Sequence, residues 1–351
     1  MAPHASKAPA NEASPILVEE TRGALVEVTH RGRAVVVDPS GGVLLAWGDP
    51  KLPVYPRSSI KPLQAIPLIE SGAADAFGLS DAEIALACAS HGGEPGHVAA
   101  VERWLARIGL SPTDLECGTH APLDPAAAEA LARSGSRPTA AHNNCSGKHA
   151  AMLTTARHKG EPTHGYIARS HPVQQRILGL LEQLSGSELG AAPSGIDGCG
   201  IPVFAMGLGN LALAFARFAD PQHLPDRRAA AIARISRAMR TAPFFVAGSG
   251  RFCTELLTLC AGEILPKGGA AGLYAAALPK LGLGLALKIE DGSGAAAEVA
   301  LGAILARLGV IGGARRAALA KRLTPPILNR AGLAVGEVRP AAVLATGGAP
   351  H

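Results

Sequence analysis

The chain has 351 residues, of which 48% are hydrophobic and 17% are charged, and its formal net charge is +5. Aromatic residues make up only 3% and the Lys and Arg residues are scattered, so we expect no nucleic-acid partner. No run of about 18 consecutive apolar residues occurs, so we expect no transmembrane helix and no membrane partner. A chain of this length can bury a large core.

The N-terminal segment has no apolar stretch after a basic cluster, so we predict no secretory signal and a cytoplasmic location. Ala, Pro, Ser and Asn dominate residues 1–14, which we predict to be a mobile tail. Residues 15–351 are expected to form a single domain, since no linker interrupts them. The six cysteines are too sparse for a disulfide scaffold and are expected to be reduced thiols, some buried and some able to bind a metal.

The first elements are predicted to be strands. Residues 24–48 show β-branched alternation broken at Arg31-Gly32 and at 39–42, which predicts an antiparallel meander of three strands. Pro53 and Pro56 exclude a helix before Arg57. Pro62 lies at a first-turn position, where proline is tolerated, and the helix that contains it is expected to run to about Gly72. Pro67 is expected to kink this helix.

Helical patterns dominate the middle of the chain. Ser80 and Glu83 form a predicted capping box that opens a helix ending before Ser90. We predict further helices over 97–108, 125–134, 150–158, 173–185, 203–218, 226–241 and 253–260. Strands are expected at 263–266, 271–278 and 283–290, followed by helices over 293–308 and 315–323. Strands at both ends predict an α/β (α+β) fold, with one antiparallel sheet built from both chain ends and an inserted helical region.

Ser58 and Lys61 form an SxxK pair at the predicted start of a helix. Three residues are nearly one turn, so the two side chains can share a face and form a hydrogen bond. A lysine with a lowered pKa can then act as the base for a serine nucleophile. The same pair is also compatible with a serine cap and a solvated lysine.

Two later segments extend this pattern. Ser90 follows a helix, and Lys267 precedes two glycines beside a late strand. In this order the parts partly match the S-x-x-K, S-x-N and K-T-G elements of penicillin-recognising serine hydrolases. The match is partial, because His91-Gly92 follows Ser90 and a glycine follows Lys267.

Two glycine-rich loops contain the candidate metal ligands Cys145 and Cys199. Two thiolates can bind a soft divalent ion, of which zinc is the commonest. The chain has no CxxC pair, however, and buried cysteines are also ordinary core residues. His142 and His149 can complete such a site or simply form hydrogen bonds within their loop.

A family resemblance follows from six segments: RSSIKP (57–62), CASHGGE (88–94), HNNCSGKHA (142–150), SGIDGCGIP (194–202), GSGR (248–251) and KGGAAG (267–272). Together they resemble the asparaginase II family of the Rhizobium etli type, over residues 15–346. The resemblance implies an L-asparaginase with a single catalytic domain over 15–351, a serine β-lactamase/glutaminase-like fold, a small-molecule substrate and a homodimer.

The resemblance also implies the site residues. Ser58 would be the nucleophile with Lys61 as its base, and Ser90 with Lys267 would form a second pair. Zinc would bind to Cys145, Lys148 and Cys199. Residues in contact with substrate would be Arg57, His149 and Asp197.

Two alternatives to an L-asparaginase stay open at this stage. One is an amidase of another substrate, such as glutamine or a β-lactam. The other is a zinc-structured binding protein without catalysis.

Overall fold

The structure is a computed structural model, and it describes residues 13–346. The strands are β1 (Ile16–Arg22), β2 (Leu25–Val37), β3 (Val43–Trp47), β4 (Pro53–Val54), β5 (Ser194–Ile196), β6 (Pro202–Phe204), β7 (Met206–Gly207), β8 (Leu265–Gly268), β9 (Leu273–Leu278), β10 (Leu283–Ile289), β11 (Pro326–Leu328) and β12 (Ala334–Pro340).

Helices connect and cover these strands. The α-helices are Lys61–Gln64, Ile66–Glu70, Ala73–Ala76, Asp81–Ala87, Pro95–Arg107, Pro125–Arg133, Ser146–Lys159, Pro172–Ser185, Leu208–Ala219, Asp226–Thr241, Pro243–Ala247, Phe252–Leu259, Gly294–Arg307, Gly313–Ala318, Ala320–Leu323 and Val343–Thr346. Short 3-10 helices are Arg57–Ile60, Pro112–Asp114 and Ala140–His142. No helix among these described residues is both long and apolar enough to cross a membrane.

The main sheet joins the two ends of the chain. Its strand order is β11-β12-β1-β2-β10-β9-β8, with β3 paired to β2 as well, and every pairing is antiparallel. The helical region lies between β3 and β8 in the chain, with two short β-ribbons, β4-β7 and β5-β6. The predicted mixed α/β fold, with an antiparallel sheet from both ends and an inserted helical region, is confirmed.

Side chains of the sheet alternate between two hydrophobic cores, as the period of a strand requires. Val35 and Val37 of β2 pack with the inserted helices. Ala34 and Val36 of the same strand pack with the helices Phe252–Leu259 and Gly294–Arg307. The sheet therefore lies between two helical layers, and it carries near-continuous apolar strands because both of its faces are buried.

The predicted turn at Arg31-Gly32 is wrong, because β2 runs through it without interruption. Gly32 pairs with Ile289 of β10. A Cβ atom at Gly32 would lie 2.6 Å from the carbonyl oxygen of Lys288. The glycine therefore permits close approach of two strands, which the sequence pattern alone does not distinguish from a turn. The terminal strands β1, β11 and β12 were not predicted.

Local signals predicted most helices well. The capping box of Ser80 and Glu83 is present, and the predicted helix over 226–241 is confirmed as Asp226–Thr241. The predicted helix over 203–218 is wrong at its start, because β6 and β7 precede a helix that begins at Leu208. The predicted helix after Lys61 is divided at Ala65 into two short helices, Lys61–Gln64 and Ile66–Glu70. Pro67 lies in the first turn of the second helix, so the break occurs next to the proline that was predicted to kink the helix.

Residues 1–12 of the predicted tail lie outside the described residues. The next two residues contact the domain. The Ala13 carbonyl accepts a hydrogen bond from the Asp49 backbone at 2.9 Å, and the Ser14 hydroxyl donates to Glu290 at 3.0 Å.

Candidate active site

Ser90 lies between two buried lysines. It follows the helix Asp81–Ala87, and its backbone N–H donates to the carbonyl of Val246 at 3.1 Å. The Ser90 hydroxyl oxygen is 3.0 Å from Lys61 Nζ and 2.9 Å from Lys267 Nζ. Both lysines are almost completely buried, at 0% and 2% exposure. One hydroxyl thus connects two amines that come from distant parts of the chain.

The predicted hydrogen bond between Lys61 and Ser58 is not formed. Lys61 Nζ instead donates to the Ala89 carbonyl, to Ser90, and to the Asn144 carbonyl at 3.3 Å. A buried ammonium group has three N–H donors, and each needs an acceptor. The carbonyl groups of Ala89 and Asn144 and the hydroxyl group of Ser90 supply these acceptors. The Lys61 amine therefore lies against these groups and does not contact Ser58.

Ser58 lies in a 3-10 helix, Arg57–Ile60, whose first residue has an unusual backbone. Arg57 has φ of +49°, in the left-handed region, which costs a residue with a side chain about 1–3 kcal/mol. Its Nε donates to Asp197 Oδ1 at 2.7 Å. The ion pair joins this strained residue, next to Ser58, to the loop that contains Asp197.

A cavity of about 240 Å³ brings the predicted catalytic residues together. Ser58, Ser90 and Lys267 all line it, and Asn144 and Arg251 belong to the same lining. Pockets for drug-sized ligands are typically about 300–1,000 Å³. This cavity therefore suits a smaller molecule.

Burial and nearby positive charges lower the pKa values of both lysines. Burial, with the charge of Lys61, lowers the pKa of Lys267 to about 7. Burial also lowers the pKa of Lys61. Because a second ammonium beside the first is unfavourable, the pair tends to hold one proton near neutral pH. Such a pair contains a base and an acid at once.

The candidate zinc ligands also converge. Cys145 precedes the helix Ser146–Lys159, Lys148 lies in its first turn, and Cys199 lies between β5 and β6. Lys148 Nζ is 3.0 Å from Cys199 Sγ, and all three side chains are buried. The tertiary fold thus brings Cys199 into contact with Lys148, which lies 51 residues earlier in the sequence, beside Cys145.

Protons are shared unequally in this cluster. A hydrogen bond with Cys199, together with the Lys148 charge, holds the pKa of Cys145 well below its usual range despite burial. The same hydrogen bond and burial raise the pKa of Cys199. Burial would lower the pKa of Lys148, but Cys145, Cys199 and Asp197 together outweigh burial and raise that pKa. The arrangement favours the thiolate form of Cys145 beside the charged form of Lys148.

The donor set fits a zinc ion in its chemistry. Within residues 13–346, no group of three His, Cys, Asp or Glu side chains is placed to hold a metal. A metal here therefore depends on the Lys148 amine in addition to Cys145 and Cys199. Two sulfur donors and one nitrogen donor suit zinc and leave its fourth position open. Binding requires that Cys199 and Lys148 lose their protons.

His149 is buried on the side of this cluster. Its Nδ1 is 2.7 Å from the Tyr166 hydroxyl, which also accepts a hydrogen bond from the Glu116 backbone at 2.9 Å. The tyrosine therefore donates to Nδ1, and the imidazole hydrogen lies on Nε2. His149 Nε2 has no hydrogen-bond partner among the described residues.

The predicted site residues thus fall into two groups. Ser58, Ser90 and Lys267 line the cavity, and Lys61 contacts Ser90 from behind the lining. The lining does not include the three residues implied to contact substrate or the three implied to bind zinc. Asp197 belongs with the zinc group: burial would raise the pKa of Asp197, but the charges of Lys148 and Arg57 hold it below its usual range.

Sequence reasoning did not identify several residues of the cavity. Arg251 stood in the quoted GSGR segment, but no role was predicted for it. Asn144 likewise stood in the quoted HNNCSGKHA segment without a predicted role. Tyr274 and Glu298 carried no signal, because only the packing of distant segments brings them to the lining.

Comparison with known proteins gives one strong match and several distant ones. A family model described as L-asparaginase II matches residues 18–340. A β-lactamase from Mycobacterium bovis is similar with 16% identity and a TM-score of 0.39, over 83% of this chain and 95% of that chain. A protein named Mglu, in its native form, is similar with 14% identity and a TM-score of 0.47, over 82% of this chain and 67% of that chain. No curated protein matches the sequence.

Proposed function

This chain belongs to the L-asparaginase II family, and we propose that it hydrolyses the side-chain amide of L-asparagine to L-aspartate and ammonia. Family membership supports an amidohydrolase activity. The observation that carries the mechanism is the contact of Ser90 with both Lys61 and Lys267, at 3.0 and 2.9 Å, in the wall of a cavity that Ser58 also lines.

Acylation begins with Ser58 as the nucleophile. Its proton passes to Ser90 while the proton of Ser90 passes to neutral Lys61, and the Ser58 oxygen attacks the amide carbonyl. When the C–N bond breaks, the Lys267 ammonium protonates the leaving nitrogen and ammonia departs. Backbone N–H groups near Ser58 hold the developing oxyanion.

Deacylation reverses these roles. Lys267, now neutral, takes a proton from water, and the resulting hydroxide attacks the acyl ester. Ser58 leaves and recovers its proton from Lys61 through Ser90. The pair ends with one proton, on Lys267, as it began, so each turnover is balanced.

Zinc is proposed as the cofactor, held by Cys145, Lys148 and Cys199. When bound there, it supplies a Lewis acid that can orient a polar group of the substrate. Asp197, ion-paired with Arg57, and the Nε2–H group of His149 are proposed to contact the substrate from this side.

Ser58→Ala tests the assignment, with Ser59→Ala as its matched control. The Ser59 hydroxyl is buried and donates to the Pro56 carbonyl at 2.7 Å, away from the lysines. We expect Ser58→Ala to abolish ammonia release from asparagine and Ser59→Ala to retain it, with a loss of about 1 kcal/mol in stability. Retention of wild-type turnover by Ser58→Ala would exclude Ser58 as the nucleophile.

Parallel assays with asparagine, glutamine and a chromogenic β-lactam distinguish the proposed activity from an amidase of another substrate. The small cavity favours either amino acid over the bulkier β-lactam. A protein that releases no ammonia from asparagine or glutamine and does not open the β-lactam ring would instead be a zinc-structured binding protein.

A homodimer is proposed on the basis of the family resemblance, and a cytoplasmic location on the basis of the N-terminal sequence pattern. Light scattering on the purified protein measures the first, and a monomeric mass across the assay concentrations would contradict it. Fractionation of the producing cell measures the second.

A further inference from the structure

The substrate of the proposed reaction carries a charge that the proposed mechanism does not use. L-asparagine has an α-carboxylate in addition to its side-chain amide, and burying a carboxylate without a cation is unfavourable. Three of the cations near the cavity already have partners. Lys61 and Lys267 donate to Ser90 and to backbone carbonyls, and Arg57 is paired with Asp197.

Arg251 is a further cation of this cavity, and it has no such partner among the described residues. Its side chain lines the cavity together with Ser58 and Lys267. Among the described residues it has no hydrogen-bond or ion-pair partner, and it is exposed. Its charge is among those that lower the pKa of Lys267, as expected for a cation near the proposed acid. An arginine offers a planar pair of donors that match the two oxygens of a carboxylate.

The backbone next to Arg251 adds positive potential to the same wall. The helix Phe252–Leu259 begins directly after it, and no side chain caps that end. Phe252 and Cys253, the first two residues of this helix, also line the cavity. Uncapped N–H groups and the helix dipole favour an anion there, so they reinforce Arg251.

The lining also contains a carboxyl group, Glu298, which accepts a hydrogen bond from the Tyr274 hydroxyl at 3.2 Å and lies 3.6 Å from Arg322. Burial raises the pKa of Glu298, and the charges of Arg322 and Arg251 oppose that rise. Because Glu298 has Tyr274 and Arg322 as its contacts, the Arg251 guanidinium keeps its donors for a ligand.

We propose that Arg251 binds the α-carboxylate of the substrate and thereby makes the enzyme select amino-acid amides over simple amides. This inference rests on the proposed function. Arg251 acts in binding and specificity, so its loss should raise KM more than it lowers kcat.

The test compares L-asparagine with 3-aminopropanamide, which keeps the amide and the amine but lacks the carboxylate. Arg251→Gln should lower kcat/KM for asparagine by about 10- to 100-fold, the range expected for a lost charged hydrogen bond. The same variant should lower kcat/KM for 3-aminopropanamide far less, because only the effect of Arg251 on the pKa of Lys267 is lost with that substrate. Arg251→Lys should recover part of the loss.

Inhibition by the product L-aspartate gives a second measurement, which does not depend on turnover of 3-aminopropanamide. The inhibition constant of L-aspartate should rise in Arg251→Gln by about the same factor as the KM for asparagine. The control is Arg133→Gln, because Arg133 is exposed and paired only with Glu129 on the surface of its helix. This control should behave as the wild type with both substrates and with the inhibitor.

The outcomes separate the two proposals. A wild-type protein that releases no ammonia from asparagine overturns the proposed function, and the inference with it. An active wild type whose Arg251→Gln variant matches Arg133→Gln overturns the inference alone. An equal loss with both substrates, or an unchanged inhibition constant for L-aspartate, also overturns it, since a merely structural role would act in that way.

Discussion

Ser90 Oγ and Lys267 Nζ lie 2.9 Å apart across 177 residues of sequence, joined by a hydrogen bond at the wall of the cavity. The same hydroxyl oxygen contacts Lys61 at 3.0 Å. Ser90 therefore connects the two amines, and a proton can pass between either amine and its hydroxyl. In the proposed mechanism this hydroxyl, and not only the SxxK pair, serves acyl transfer.

The pH dependence of turnover should reflect the two lysines. Burial and the charge of Lys61 lower the pKa of Lys267 to about 7. Because the two amines are coupled through Ser90, this titration belongs to the pair, which takes up its second proton near that pH and then has no free base. We therefore expect kcat/KM to rise with pH through about 7. Lys267→Arg holds a permanent charge there and should lower kcat/KM by about 10²- to 10⁴-fold and remove the inflection.

The pH profile of ammonia release measures this effect. Lys280→Met is the matched control, because Lys280 is exposed and paired with Glu263. A profile that stays flat between about pH 6 and 8 in the wild type would contradict a shared proton on the pair.

The left-handed backbone of Arg57 should be visible in stability. Arg57→Ala and Arg57→Gly both remove the ion pair with Asp197, but glycine adopts φ near +49° without a steric cost. The glycine variant should therefore unfold with a free energy about 1 kcal/mol higher than the alanine variant. Chemical denaturation of the two proteins measures the difference. The reverse order would mean that this backbone carries no strain.

Gly147 should be required for packing of the site. A Cβ atom there would lie 2.1 Å from the Leu86 carbonyl oxygen, on the neighbouring helix that leads to Ser90. Gly147→Ala should therefore cost about 1–3 kcal/mol or more in stability, because backbone must move. Gly179→Ala is the matched control, since nothing lies within 4 Å of a Cβ atom at that helical position.

The control should be more stable than the wild type by about 0.5–1 kcal/mol, because alanine favours a helix over glycine. Thermal unfolding of both variants measures the contrast. Equal stability of Gly147→Ala and Gly179→Ala would show that the two helices separate without cost.

Zinc content should depend on three side chains. Elemental analysis of protein purified without chelator should find zinc in the wild type, and little in Cys145→Ser, Lys148→Met or Cys199→Ser. Cys260→Ala should keep its zinc, because Cys260 lies in the core on the other face of the sheet. Zinc binding should also release protons, since the ligands must be deprotonated. A wild-type protein free of zinc would contradict the assignment.

Local chemistry explains what could be predicted. The capping box of Ser80 and Glu83 predicted a helix from contacts three residues apart, and the structure contains it. The SxxK pair and the segments around Ser90 and Lys267 were recognised because each motif is short and contiguous. Gly32 misled the prediction, since a glycine for close strand approach has the same sequence appearance as one for a turn.

By itself, the sequence determined the family, the helices of the inserted region and the residue types available for chemistry, because these depend on short contiguous patterns. Only the tertiary structure decided that Lys61 contacts Ser90 rather than Ser58, and that Arg251 and Glu298 line the same cavity. These contacts join segments tens to hundreds of residues apart. They follow from how the sheet and helices pack and from the need of each buried amine for acceptors, and neither is encoded within one segment.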